Sequence, residues 1–178
     1  MKHRIIVIAA LALASLAGCS GSLSPDGFVP PRDNIHHTKQ TLGIHGAAGG
    51  ADDSHDLFTG EVGITNMELI TTINAFIEQS AAFQQASPGA SPRYLLAAFI
   101  TELDPDAACI TCSARITIAY TLKDLESDMV IWSKRILTEH SVGLGTNFMG
   151  TYRIRMAMQG AMYENVRTMV QELSELKL

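Results

Sequence analysis

The sequence predicts a two-layer α+β domain, an antiparallel sheet of three to four strands with two helices on one face. Three observations predict it: a period-two run ending at Leu122, a capped amphipathic helix after Thr65, and a long apolar helical stripe that closes the chain. Thr65 and Glu68 have the capping-box spacing, in which hydroxyl and carboxylate each satisfy an orphan backbone N–H. Behind them Leu69, Ile73, Phe76 and Phe83 recur on one helical face, with Ile70 and Ile77 beside them, and Ser87-Pro88-Gly89 is the expected stop.

Arg93 to Leu103 is apolar with polar ends and suits a largely covered strand. Ile116, Ile118, Tyr120 and Leu122 alternate with Arg115, Thr117, Ala119 and Thr121, as a half-buried strand from Ser113 requires. Asp124 to Asp128 supplies turn residues, after which Met129 to Leu137 can return antiparallel. Phe58 to Ile64 is the candidate for a short edge strand. Gly143, Gly145 and Gly150 punctuate the next loop. From about Tyr152 to Leu176 one stripe carries Ile154, Met158, Ala161, Asn165, Met169, Leu173 and Leu176, widened by Met162, Val166 and Val170. Gly160 inside this helix costs up to about 1 kcal/mol relative to Ala, so close packing against the sheet is expected there.

The start of the chain reads as an address. Lys2 and Arg4 precede an apolar run from Ile5 to Ala17, and Leu16-Ala17-Gly18 leads directly into Cys19. At 13 residues that run is too short to span a bilayer, which takes roughly 20 in a helix. Leu-Ala-Gly-Cys resembles the lipobox of exported bacterial lipoproteins. The resemblance implies a signal peptide over 1–18, cleavage before Cys19, a diacylglyceryl group on its thiol and a fatty acyl chain such as palmitate on the new amino terminus. Ser20 is not the aspartate that marks inner-membrane retention in many such proteins, so the expected location is the outer membrane with the domain facing the periplasm.

Residues 19–56 read as a lipidated N-terminus and a flexible tether, and 57–178 as the domain. Pro25, Pro30, Pro31 and the Gly46-to-Ala51 stretch break regular structure, and few large apolar groups are present to offset ordering entropy. The 37 residues from Ser20 to Asp56 would have a reach of roughly 35 Å as flexible chain, so the domain is expected to hang clear of the lipid.

Charge and motif content narrow the function. The full chain has 13 basic and 18 acidic residues; cleavage after Gly18 removes Lys2 and Arg4, so 11 against 18 leaves a mature net charge of −7. Without clustered Lys and Arg, binding over a broad face to nucleic acid or to an anionic lipid surface is not expected. Cys109-Ile110-Thr111-Cys112 pairs two thiols in a loop before a strand, where a structural disulfide, a redox pair and two free thiols are the open readings. A redox pair draws its low thiol pKa from a following helix N-terminus, and no helix is expected behind Cys112. His36, His37, His45 and His55 with Asp52, Asp53 and Asp56 could gather round a metal, but flexible ligands lose entropy in doing so and a polar linker is the simpler reading. His140 is the lone histidine of the expected domain, at a strand end, with Glu139 on the opposite face. Glu164, Glu172 and Glu175 read as the solvated face of the last helix. No nucleophile elbow, phosphate loop or His-Glu-x-x-His pair is present, so no catalytic residue, metal or cofactor is assigned.

Arg93-Tyr94-Leu95-Leu96-Ala97, Glu102-Leu103-Asp104, Ala119 to Asp124, and Arg153-Ile154-Arg155-Met156-Ala157 through Gly160-Ala161 to Asn165-Val166 resemble a group of small, uncharacterised proteobacterial outer-membrane lipoproteins. Some of those relatives carry the label of a UDP-N-acetylglucosamine acyltransferase. That enzyme is a left-handed β-helix of hexapeptide repeats, and this chain has no internal repeat. The expected function is a non-catalytic envelope lipoprotein, held to the membrane by its lipid and binding a protein or glycolipid partner. The alternative is an envelope hydrolase or acyltransferase acting on lipid or cell wall through His140 or a carboxylate that the sequence does not single out.

Overall fold

The computed structural model of the chain describes residues 23–46, 63–85, 91–106, 109–176 and 178. The signal segment 1–18, Cys19 and Ser20 lie outside the described residues. Five strands and two helices follow in chain order: β1 Thr41–Gly46, α1 Asn66–Ser80, β2 Gln84–Gln85, β3 Tyr94–Pro105, β4 Cys112–Asp124, β5 Met129–Val142 and α2 Gly150–Ser174. They build the expected two-layer α+β domain, with β3, β4 and β5 as an antiparallel meander in a sheet ordered β2-β1-β3-β4-β5. The sheet is mixed, because β1 runs parallel to β3 and to the two-residue β2.

One boundary differs from the sequence reading. Residues 23–46 fold against the domain, and β1 supplies the strand expected from Phe58 to Ile64. Of that stretch, 58–62 lie outside the described residues, and Gly63 and Ile64 lead into α1 without strand pairing. Low apolar content obscured six well-spaced residues. Ile35 is buried in the core, and Leu23, Phe28, Val29, Leu42 and Ile44 pack on it as partly buried side chains. Pairing of five β1 residues with β3 adds backbone hydrogen bonding to that burial. Gly43 is required where β1 meets the loop before β3, since an added Cβ would lie 2.7 Å from Pro92 Cγ.

Thr65 caps α1 as expected: its Oγ1 accepts from the Glu68 N–H at 3.1 Å, and Glu68 Oε2 accepts from the Thr65 N–H at 2.9 Å. The helix ends earlier than Ser87-Pro88-Gly89. Ser80 Oγ donates to Ile77 O and accepts from the Ala82 N–H, and Ala81 turns the chain in the left-handed region at φ 53°. Phe83 is therefore buried from the turn beyond the helix rather than on its face.

On β4 the inward residues Ala114, Ile116, Ile118, Tyr120 and Leu122 are all essentially inaccessible, and both helices cover that face. A bulge between Ile100 and Glu102 on β3 resets the alternation, returning Leu103 to the covered side opposite Ile116. α2 lays Met158, Ala161, Met162, Val166, Met169 and Leu173 against the sheet. Fully buried Asn165 sits in this stripe with its polar atoms satisfied. Its Nδ2 donates to Ile136 O at 2.7 Å and Thr138 Oγ1 at 3.1 Å, and its Oδ1 accepts from Tyr120 OH at 3.0 Å. Burial raises the Tyr120 pKa far above its ordinary value, which keeps the phenol protonated as the donor.

Ala161 has no exposure, and its carbonyl accepts from Thr138 Oγ1 at 2.7 Å. Ala161→Glu is expected to unfold the domain, because an unpaired buried carboxylate costs about 3 to 5 kcal/mol out of a typical 5 to 15. Thermal melting followed by circular dichroism reads this directly; an unchanged midpoint would place Ala161 on a surface instead.

Candidate functional site

His140 is the residue singled out for chemistry, and it lies on the covered face of β5 opposite Ala114. Its Nδ1 is 2.9 Å from Glu164 Oε1 on α2. Glu164 is thus partly buried against the sheet, which corrects its assignment to a solvated face. Glu172 also turns toward β5 and pairs with Lys134 at 2.6 Å. Phe28 meets the His140 ring edge-on at 5.7 Å and the Tyr163 ring at 5.4 Å. Gly160 lies beneath the histidine, where an added Cβ would be 2.2 Å from His140 Cδ2. The glycine inside α2 therefore marks the close approach expected from sequence. Glu139 points to the open face and pairs with Arg115 at 3.0 Å.

These contacts orient the imidazole through Nδ1. One ring nitrogen faces a carboxylate, while one ring side meets a helix backbone and its edge meets an aromatic ring. The nearby Tyr163 hydroxyl donates to Leu23 O at 3.3 Å, and burial raises its pKa, with Glu68 adding to the shift. A nucleophile and base need mutual hydrogen-bond geometry with room for a reacting atom; the arrangement here is that of a helix-to-sheet seam.

A second cluster forms at the N-terminus of α2. Arg153 is 4% exposed, and its guanidinium donates to three carbonyls: Asn147 O at 2.7 Å, Phe148 O at 2.9 Å and Cys109 O at 3.1 Å. It ties the 143–149 loop to the turn that carries Cys109 and Cys112, whose sulfurs are bonded with Cα atoms 4.7 Å apart. Cys112 opens β4, so a strand rather than a helix follows the pair. Arg155, the other arginine of the same stretch, reaches Glu68 on α1 at 2.8 Å and joins the two helices.

The histidines expected in a tether are distributed differently. His36 and His37, with Lys39, Leu173, Glu175 and Leu178, line a cleft of about 500 Å3 at the C-terminal end of α2. His37 Nδ1 lies 2.8 Å from Ala81 O. His45 is exposed on β1, whereas His55, Asp52, Asp53 and Asp56 lie outside the described residues. Among the described residues no group of three His, Cys, Asp or Glu side chains is placed to hold a metal ion. Arg153 was missed as the buried tie between two loops; the available signal was a cation three residues after the first helical residue, Gly150.

Gly160→Ala should destabilise the domain by about 1 to 3 kcal/mol through overpacking on His140, although Ala is the better helix former by about 1 kcal/mol. Adding His140→Ala should recover part of that loss, as measured by denaturant unfolding. A stabilised Gly160→Ala single variant would contradict the close approach.

No protein-family model matches the sequence, and no curated protein matches it. Solved structures do share the fold. The chain is similar to protein XCC0632 from Xanthomonas campestris, of the family DUF330, with TM-score 0.63 and 15% identity over 82% of this chain and 90% of that one. It is also similar to CT253 from Chlamydia trachomatis, with TM-score 0.50 and 11% identity over 78% of this chain and 99% of the other. PelC from Paraburkholderia phytofirmans, a dodecamer, has TM-score 0.50 and 11% identity over 79% and 90% of the two chains. At such identities the likeness is one of fold.

Proposed function

We propose that the chain is a cell-envelope lipoprotein, lipidated at Cys19 and held at the outer membrane facing the periplasm, that binds a protein partner without transforming it. The lipobox carries the anchoring half of this reading. The binding half rests on one observation, the free edge of β5. This strand of 14 residues ends the sheet, and among the described residues no strand pairs with its outer side. It displays Met129, Val130, Ile131 and Leu137 as exposed apolar side chains, with Val130 at 56% and Leu137 at 63%. Long edges with unpaired backbone groups and apolar side chains template the addition of another strand. A segment of a protein partner that extends alongside β5 would satisfy both backbone and side chains, and a glycolipid would satisfy only the second. The packing of Gly160 and Phe28 against the His140 ring supports the non-catalytic part.

A photo-crosslinking residue at Val130 or Leu137 in living cells should capture one protein reproducibly, while the same residue at exposed Thr71 on α1 should not. Changing Met129, Val130 and Ile131 together to lysine should abolish capture from Leu137 without lowering the amount of folded protein. Equal capture from Thr71, or capture that survives the triple change, would contradict an edge interface.

A further inference from the structure

Resting on the reading of Cys19 as lipidated, we infer that the domain sits directly on the bilayer through an apolar knuckle formed by Ile110, Leu144, Phe148, Met149 and Tyr152. Three observations carry this: where the chain leaves the domain, what that end of the domain exposes, and the absence of charge there.

Leu23 fixes the exit. Its N–H donates to Gln159 Oε1 at 3.2 Å, its carbonyl accepts from Tyr163 OH at 3.3 Å, and its side chain packs on the buried cluster of Ala114, Val142, Met156, Ala157 and Met158. Cys19 is four residues earlier, and four residues span at most about 14 Å however they are arranged. The lipid must therefore enter its membrane within that distance of the middle of α2. From Gln159 to Tyr152 is seven residues of helix, about 10 Å at 1.5 Å each, so the knuckle is within range. The opposite end of the sheet is not. α2 binds β5 at Thr138, and from there to Met129 is nine residues, about 30 Å at 3.3 Å each.

The knuckle is built to project. Phe148 is 93% exposed and Ile110 is 74% exposed, with Leu144, Met149 and Tyr152 also open to solvent. Arg153 holds Phe148 and Cys109 by their carbonyls from beneath, and the Cys109–Cys112 bond closes the turn that carries Ile110. Held loops of this kind present large apolar groups without a new ordering cost on contact.

From Ser141 to Tyr152 the chain has no Asp, Glu, Lys or Arg, nor does the turn from Cys109 to Cys112. Entry of these two segments into the headgroup region desolvates no charge of their own, exposed Asp106 stands at their border with its N–H on Ser113 O at 2.8 Å, and the Tyr152 side chain favours that depth. The β4–β5 hairpin also exposes apolar groups, but Lys123, Asp124, Glu126 and Asp128 surround them. It is both out of reach and charged. The acyl chains would hold the protein, and the knuckle would set its orientation, leaving the hairpin half of β5 pointing away from the lipid.

The test uses the full lipidated protein, with its Cys109–Cys112 disulfide intact, reconstituted into phosphatidylethanolamine–phosphatidylglycerol vesicles. Phe148→Cys and Leu125→Cys each add one free thiol for a fluorophore, the second on the distant hairpin. Quenching by nitroxide-labelled lipid should be severalfold stronger at 148 than at 125. Equal quenching at the two sites in protein that floats with the vesicles would overturn the seat and leave the anchor standing. Protection of 148 from aqueous quencher without lipid quenching, with 148-to-148 cross-linking between copies, would overturn it in favour of a second copy as occupant. Protein that does not float with the vesicles would refute the lipidation on which the seat rests.

Discussion

The docking of residues 23–46 onto the sheet and α2 is the constraint on which the other features depend. It completes the core by burying Ile35 and laying Leu42 and Ile44 over the covered face. It adds β1 beside β3, which shields one edge of the meander and leaves β5 as the long free one. It also brings Phe28 against His140 and Tyr163, so the histidine becomes part of a packed seam. Finally, it ends at Leu23 on α2, which sets how far the domain can lie from Cys19.

Polar groups locate α2 against the sheet where apolar packing alone would permit sliding. Asn165 joins the helix to Tyr120 of β4 and to Ile136 and Thr138 of β5. Thr138 reaches back to the Ala161 carbonyl, and Gly160 admits His140. A one-turn shift would strand several buried donors and acceptors at about 1 to 3 kcal/mol each, so the register is strongly specified. At the helix start Arg153 plays a related part, converting its buried charge into three hydrogen bonds that hold two loops.

Local signals in the sequence were sufficient for the meander and both helices. The alternation over Ile116 to Leu122, the Thr65 capping box and the stripe through Met158, Ala161 and Met169 each depend on neighbours within a few residues. β1 was hidden because its support is distant: Gly43 fits beneath Pro92, and the parallel partner lies some fifty residues on. The partnership of His140 and Glu164 joins a strand to a helix 24 residues away, which periodicity cannot pair. Similarly, Arg153 looked like any helical cation until the carbonyls of Asn147, Phe148 and Cys109 were seen to converge on it.

Hydrogen exchange of the mature protein, resolved to the amides of Leu42 to His45, tests the docking most directly. Pairing with Tyr94 to Ala97 of β3 predicts protection for the bonded amides of β1 comparable with that of β3. Exchange of 42–45 at the rate of unstructured chain, while Leu96 and Ile118 stay protected, would restore the long tether and remove the basis for holding the domain close to the lipid.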